Sequence, residues 1–162
     1  VLIIIITGRP VPEERPPVRK DLGLKPEQHV AFAWAFAKLG RKGAPEDEDA
    51  ELFAALAEHC ALAIERTTPG DVSTLAWSFS KAGADAPDLY NAIAADFGTR
   101  PSEYTAQNVA ILCFSFSNRA YKDSDAAQTL YRAISKHVSK SGVSDFSSTE
   151  LANLVWAANP SL

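Results

Sequence analysis

TPGDVSTLAWSFSKAG, residues 68–83, decides the fold because the chain repeats it. KPEQHVAFAWAFAKLG at 25–40, TAQNVAILCFSFSNRA at 105–120 and SSTELANLVWAANPSL at 147–162 align with it on Trp34, Trp77, Phe114 and Trp156. Successive anchors lie 43, 37 and 42 residues apart. Each of the first three copies is followed by a second related segment: ELFAALAEH, PDLYNAIAAD and QTLYRAISKH, aligned on Phe53, Tyr90 and Tyr131. A two-part unit recurring every 20–50 residues or so marks a stacked array, since no single unit can bury its own apolar face. The expected fold is all-α: an α-solenoid of about four helical-hairpin repeats, near 24–67, 68–104, 105–145 and a partial 146–162.

Local signals place the first helix of each unit. Thr68-Pro69 supplies an N-cap and a first-turn proline, with Asp71 three residues after the cap. Ser147 with Glu150 forms a capping-box pair and Thr105 with Asn108 a weaker one, while Gly40 and Gly83 are placed to end helices in the left-handed conformation. Val72, Leu75, Ala76 and Phe79 fall at i, i+3, i+4 and i+7, matched by His29, Phe32, Ala33, Phe36 and by Val109, Leu112, Cys113, Phe116. That spacing is a core stripe. His29, near the start of its helix, is expected to cap it or to be partly exposed. Beside the stripe run Ser73, Trp77 and Ser80, with counterparts Val30, Trp34, Ala37 and Ala110, Phe114, Ser117. One aromatic flanked by small residues predicts a face packed against a neighbouring helix, so that Trp77→Ala would cost about 3–5 kcal/mol. The second helices are expected near 49–65, 87–97 and 126–139.

Upstream, VLIIII at 1–6 suits a strand or extended arm, folded back on the first repeat or added to the sheet of a partner. Residues 9–23 hold four of the ten prolines and predict a linker, either a solvated tether or a segment lying along a partner. Residues 1–23 therefore form an arm and linker ahead of a repeat domain at 24–162. The absent initiating Met and a last repeat that stops after its first helix point to a piece of something longer.

Composition narrows the function classes. With 162 residues, 46% of them hydrophobic, the chain can bury a core, and a net charge of −4 argues against a generally basic nucleic-acid surface while permitting a local basic stripe. Cys60 and Cys113 stand in apolar helical segments without metal-ligand spacing and read as buried small hydrophobes in a reducing compartment. No apolar run approaches the ~18 residues of a membrane helix, so no membrane insertion is expected. The acidic run Glu46, Asp47, Glu48, Asp49 precedes a helix, where negative charge favours the N-terminus. Neither paired carboxylates facing a common His, nor a nucleophile elbow, nor a glycine-rich phosphate loop after a strand is present. The chain reads as non-catalytic, with no cofactor and no metal.

Taken together, "AFAWAFAKLG", "LAWSFSKAG" and "ELANLVWA", each of the first two followed by a "LF" or "LY" helix, resemble the degenerate helical repeats of octotricopeptide-repeat and FAST-kinase-like proteins, which often end in a RAP domain. The resemblance covers residues 25–162. It implies an α-solenoid acting on organellar RNA in mitochondria or plastids, in processing, stability, translation or ribosome assembly. The PPPEW signature of typical octotricopeptide repeats is missing, and no catalytic residue is carried over.

The remaining first-helix face is polar and varies between copies: Asp71, Thr74, Ser78, Lys81 in the second and Asn108, Ile111, Ser115, Asn118 in the third. A modular binding surface needs such variation, and an ordinary exposed helix face shows it too. Lys38, Lys81 and Asn118 recur four residues after the central aromatic, with Arg119 just beyond. Basic residues there also suit the helix C-terminal dipole. If they bind phosphates, Thr74, Ser78, Asn108 and Ser115 are placed to hydrogen-bond unstacked bases. Two partner classes follow: single-stranded RNA, or the protein subunits of a large organellar complex (ribosomal, photosynthetic or respiratory) that the chain would scaffold.

Overall fold

The computed structural model describes residues 25–118 and 121–158. The expected arm and linker at 1–23, together with Arg119, lie outside the described residues. Within them the chain is all-helical: α1 (Pro26–Lys38), α2 (Ala50–Ala63), α3 (Pro69–Ala82), α4 (Pro87–Thr99), α5 (Ala106–Phe116), α6 (Asp125–Ser141) and α7 (Ser148–Ala158). Short 3-10 turns at Ile64–Arg66 and Pro101–Glu103 lead into α3 and α5.

The capping residues act as their spacing requires. The Thr68 hydroxyl accepts the Asp71 N–H at 3.2 Å, and Pro69 opens α3. Thr105 accepts from the Asn108 N–H at 3.2 Å while the Asn108 side chain accepts the Thr105 N–H at 3.1 Å. Glu150 accepts the Ser147 hydroxyl and the Ser147 N–H at 2.7 Å each, and the hydroxyl first, then the N–H, hold its carboxyl below the usual range. Gly83 ends α3 at φ 67°, and Gly40 takes φ 74° just after α1, a region where a Cβ is costly.

The helices pack in two layers. First helices lie side by side, α1 on α3, α3 on α5 and α5 on α7; second helices do the same, α2 on α4 and α4 on α6. Between the layers runs the core, with Val72, Leu75, Ala76 and Phe79 at 0% exposure. Phe53 bridges units, edge-on to Phe36 at 6.5 Å and to Phe79 at 5.6 Å. Tyr90 donates its hydroxyl to Ala76 O at 3.3 Å, and Tyr131 donates to Cys113 O at 3.4 Å. Those pairs occupy equivalent positions in successive units, so the sequence register is also a contact register. Burial pushes the Cys60 and Cys113 thiols up to about 12, as suits inert core residues.

Two polar knots fix how units join. Asp96, 4% exposed, accepts from the Arg100 guanidinium and from the Tyr104 hydroxyl. Arg100 also donates to Thr67 O at 2.7 Å, tying the end of α4 to the turn before α3. Tyr121 stacks on Tyr90 at 3.9 Å, donates to Ala84 O and accepts the Ala86 N–H at 2.8 Å. Buried hydrogen bonds of this kind select one docking geometry from many that apolar packing alone would tolerate.

His29 departs from expectation. It is buried at 6% exposure and lies parallel to His59 of α2 at 5.3 Å, with neither ring nitrogen hydrogen-bonded. It stands at a core-stripe position, and the apolar periodicity prevailed over its polarity.

Candidate functional site

A first helix in this array has three occupied sides. One faces the core, one the preceding first helix and one the following. Ser73 and Ser80 mark the side of α3 toward α5: the Ser73 hydroxyl, donating to Pro69 O at 2.8 Å, also approaches Asn108 O at 3.4 Å, and Asn118 Nδ2 donates to Ser80 O at 2.9 Å. At about 100° per residue, Ser78 falls on the opposite flank, toward α1. It is 0% exposed, as is its counterpart Ser115 on α5.

What remains is a narrow strip. On α3 it consists of Gly70, Thr74, Trp77 and Lys81, at i, i+4, i+7 and i+11. On α1 the same positions are Glu27, Ala31, Trp34 and Lys38; on α5, Gln107, Ile111 and Phe114, with Asn118 two residues past its end; on α7, Thr149, Asn153 and Trp156. Because the first helices lie side by side, these positions form rows across the stack. One row is wholly aromatic. Trp34 is 46% exposed, Phe114 50% and Trp156 53%, and Trp77 is half-buried.

The expected packing of this face against a neighbouring helix is met by its small residues, but Trp34, Phe114 and Trp156 stand half in water and do not fill the gap. Neighbouring first helices meet through Ser73, Ser80, Ala110 and their like, whose small side chains bring the backbones together. The rings stand outside that seam instead of filling it. A single helix wheel does not say which flank the neighbour takes, and that is why the error arose.

Beside the aromatic row lies a shorter polar one. Lys38 Nζ sits 5.6 Å from the Trp34 ring centre and 5.3 Å from that of Trp77, a cation held between two π faces. Lys81 is exposed one unit further along. Trp77, Ser80, Lys81, Phe114, Ser117 and Asn118 line an open cleft of about 310 Å³ between α3 and α5. Its walls are two aromatic rings and its rim is cationic and amide.

The sequence-predicted site residues thus separate. Lys38 and Lys81 share the outward strip with Thr74, one turn from Trp77, whereas Asn118, two residues past the end of α5, turns its amide across the seam to Ser80. Ser78 and Ser115 are enclosed, donating to Thr74 O and Ile111 O at 2.7 Å each, and have no surface to offer a base. Asn108 is engaged as a cap at the helix start. Arg119 lies outside the described residues. Sequence reasoning missed Trp34, Phe114 and Trp156 as surface groups, with Trp77 half-buried among them. The signal was present, since each ring shares its strip with the exposed residue seven positions before it.

Among the described residues no group of three or more His, Cys, Asp or Glu is placed to hold a metal ion, and no helix is long and apolar enough to cross a membrane. No family model, curated protein or solved structure matches the chain.

Proposed function

We propose that the chain is a non-catalytic α-solenoid module that binds single-stranded RNA across the outward strip of its first helices. The observation that carries this is the alignment of Lys38 and Lys81 in one row beside four aromatic positions. Stacking turns a sequence repeat into a line of equivalent points, and a strand with repeating phosphates matches a line. The family resemblance adds a setting: organellar RNA in mitochondria or plastids, in processing, stability, translation or ribosome assembly. The affinity is modest, because two lysines contribute a salt slope of only about −1.4 on single strands.

A second function, scaffolding within an organellar complex through protein contacts, is favoured by one feature. Val155, 70% exposed, stands beside Trp156 on α7 and widens the apolar surface there. A titration of single-stranded RNA at several salt concentrations separates the two. Wild type should bind at low salt, and the Lys38→Ala/Lys81→Ala pair should bind more weakly with a slope shallower by about 1.4. Equal slopes for both proteins would remove the lysine row as a phosphate site. An absence of binding by wild type would leave the scaffold.

A further inference from the structure

We propose that the aromatic row, and the cleft between Trp77 and Phe114 in particular, is a base-stacking platform that holds single-stranded nucleic acid without regard to base identity. This rests on the RNA-binding function proposed above and assigns how the strand is held.

Three observations lead there. First, three of the four rings stand largely outside the packing. Trp34, Phe114 and Trp156 each leave about half their surface in water, and such rings gain most from a flat apolar partner. Second, cations are interleaved with them. Lys38 spans Trp34 and Trp77, and Lys81 borders the cleft that Trp77 and Phe114 wall. An aliphatic peptide has no use for that alternation, whereas a nucleotide presents a planar ring and a phosphate together. Third, the groups that would read a base edge are already engaged. The Thr74 hydroxyl donates to Gly70 O at 2.9 Å, Ser78 and Ser115 are enclosed, and Asn118 Nδ2 donates to Ser80. Base identity is read by hydrogen bonds to base edges; stacking is indifferent to it because every base has a π face.

Spacing sets the form of the bound strand. Packed helices lie about 8–10 Å apart, far more than the ~3.4 Å between stacked nucleotides. The strand must therefore be drawn out, its bases unstacked from each other and seated on successive rings. One base enters the 310 Å³ cleft with its phosphate toward Lys81. Nothing in the strip is committed to a 2′-hydroxyl, so DNA and RNA strands of the same length should bind alike.

All three tryptophans of the chain lie in the row, so tryptophan fluorescence reports it alone. The test titrates the full chain with oligo(U), oligo(A) and oligo(dT) of about 12 nucleotides, within the usual site sizes for single-strand binders. Quenching should be saturable, with affinities agreeing within about threefold. Phe114→Ala and Trp77→Ala should each weaken binding by roughly tenfold or more, the size of one lost stacked base. Trp77→Phe should retain most of it, and none of the three should alter the salt slope. Circular dichroism checks each variant, and exposed Trp34→Ala serves if Trp77→Ala does not fold. Strands bound at wild-type strength by the ring variants, or without quenching, would overturn the platform while leaving RNA binding intact. A preference above about tenfold for one base would overturn its indifference to sequence. If wild type binds no strand, both this inference and the proposed function fall.

Discussion

Replacing Phe79 and Trp34 by alanine, one at a time, tests which aromatic positions hold the protein together. Phe79 is 0% exposed and meets Phe53 edge-on at 5.6 Å across the boundary between units. Truncating a ring so enclosed removes its transfer free energy and leaves a cavity, together about 3–5 kcal/mol. At roughly 3 °C per kcal/mol for a chain of this size, the thermal midpoint should fall by about 10–15 °C. Trp34 is 46% exposed and contributes the buried half of its ring plus a cation–π contact with Lys38. Its loss should cost about 1 kcal/mol, or a few degrees. Trp77, half-buried, should fall between them, below the 3–5 kcal/mol expected of an enclosed ring. Thermal melts followed by far-ultraviolet circular dichroism give all three values under one set of conditions. A Trp34→Ala loss as large as that of Phe79→Ala would mean that the row is packed inside, and the surface argument would fail with it.

Two further outcomes are expected. Gly43→Ala should destabilise by about 1–3 kcal/mol, because its Cβ would meet the Phe53 ring at 2.6 Å and Ala84 at 2.8 Å; Gly98→Ala in α4, which meets nothing within 4 Å, should be neutral or stabilising by up to about 1 kcal/mol. Melts in urea that rank the two the other way round would refute this account of the loop after α1. Burial first, and His59 second, lower the pKa of His29 from 6.5, so its neutral form belongs to the folded state. That stability is complete above about pH 6.5 and declines as pH falls through the folded-state value. Between about pH 7.5 and 5.5 the midpoint of His29→Leu should therefore drop less than that of wild type, and parallel curves would show that His29 is not strained by protonation.

The helical pairs were legible because two signals coincided. Apolar spacing at 3, 4 and 7 marked the buried stripe, and caps at Thr68, Thr105 and Ser147 marked where each first helix begins. Register did the rest, since aligning copies on the central aromatic also aligned Ala76 with Cys113, the carbonyls that Tyr90 and Tyr131 find. Side-to-side packing was not legible in that way. Ser78 and Thr74 are both small and polar on the same half of the wheel. Only the position of α1 decides that one is enclosed and the other borders solvent. The Asp96–Arg100–Tyr104 knot escaped for a related reason. An i, i+4 acid–base pair at a helix end looks like any surface ion pair until Thr67 O and a buried tyrosine hydroxyl are brought against it.

The division of labour within a first helix follows from its crowding. Core, preceding helix and following helix together occupy most of the circumference of α3, so the chain is free to vary only along Gly70, Thr74, Trp77 and Lys81. Two of those four positions vary strongly between copies, Gly70 corresponding to Glu27 and Gln107 and Thr74 to Ala31 and Ile111, while the third keeps lysine at Lys38 and Lys81 and becomes Asn118 in the third copy. The fourth is aromatic every time. Core packing does not impose this, for the rings stand outside the seam, and helix propensity does not, for tryptophan and phenylalanine are middling helix formers. The single strand proposed above, a flat ligand that spans several units and touches each at the same height, would supply a reason for an aromatic at each level.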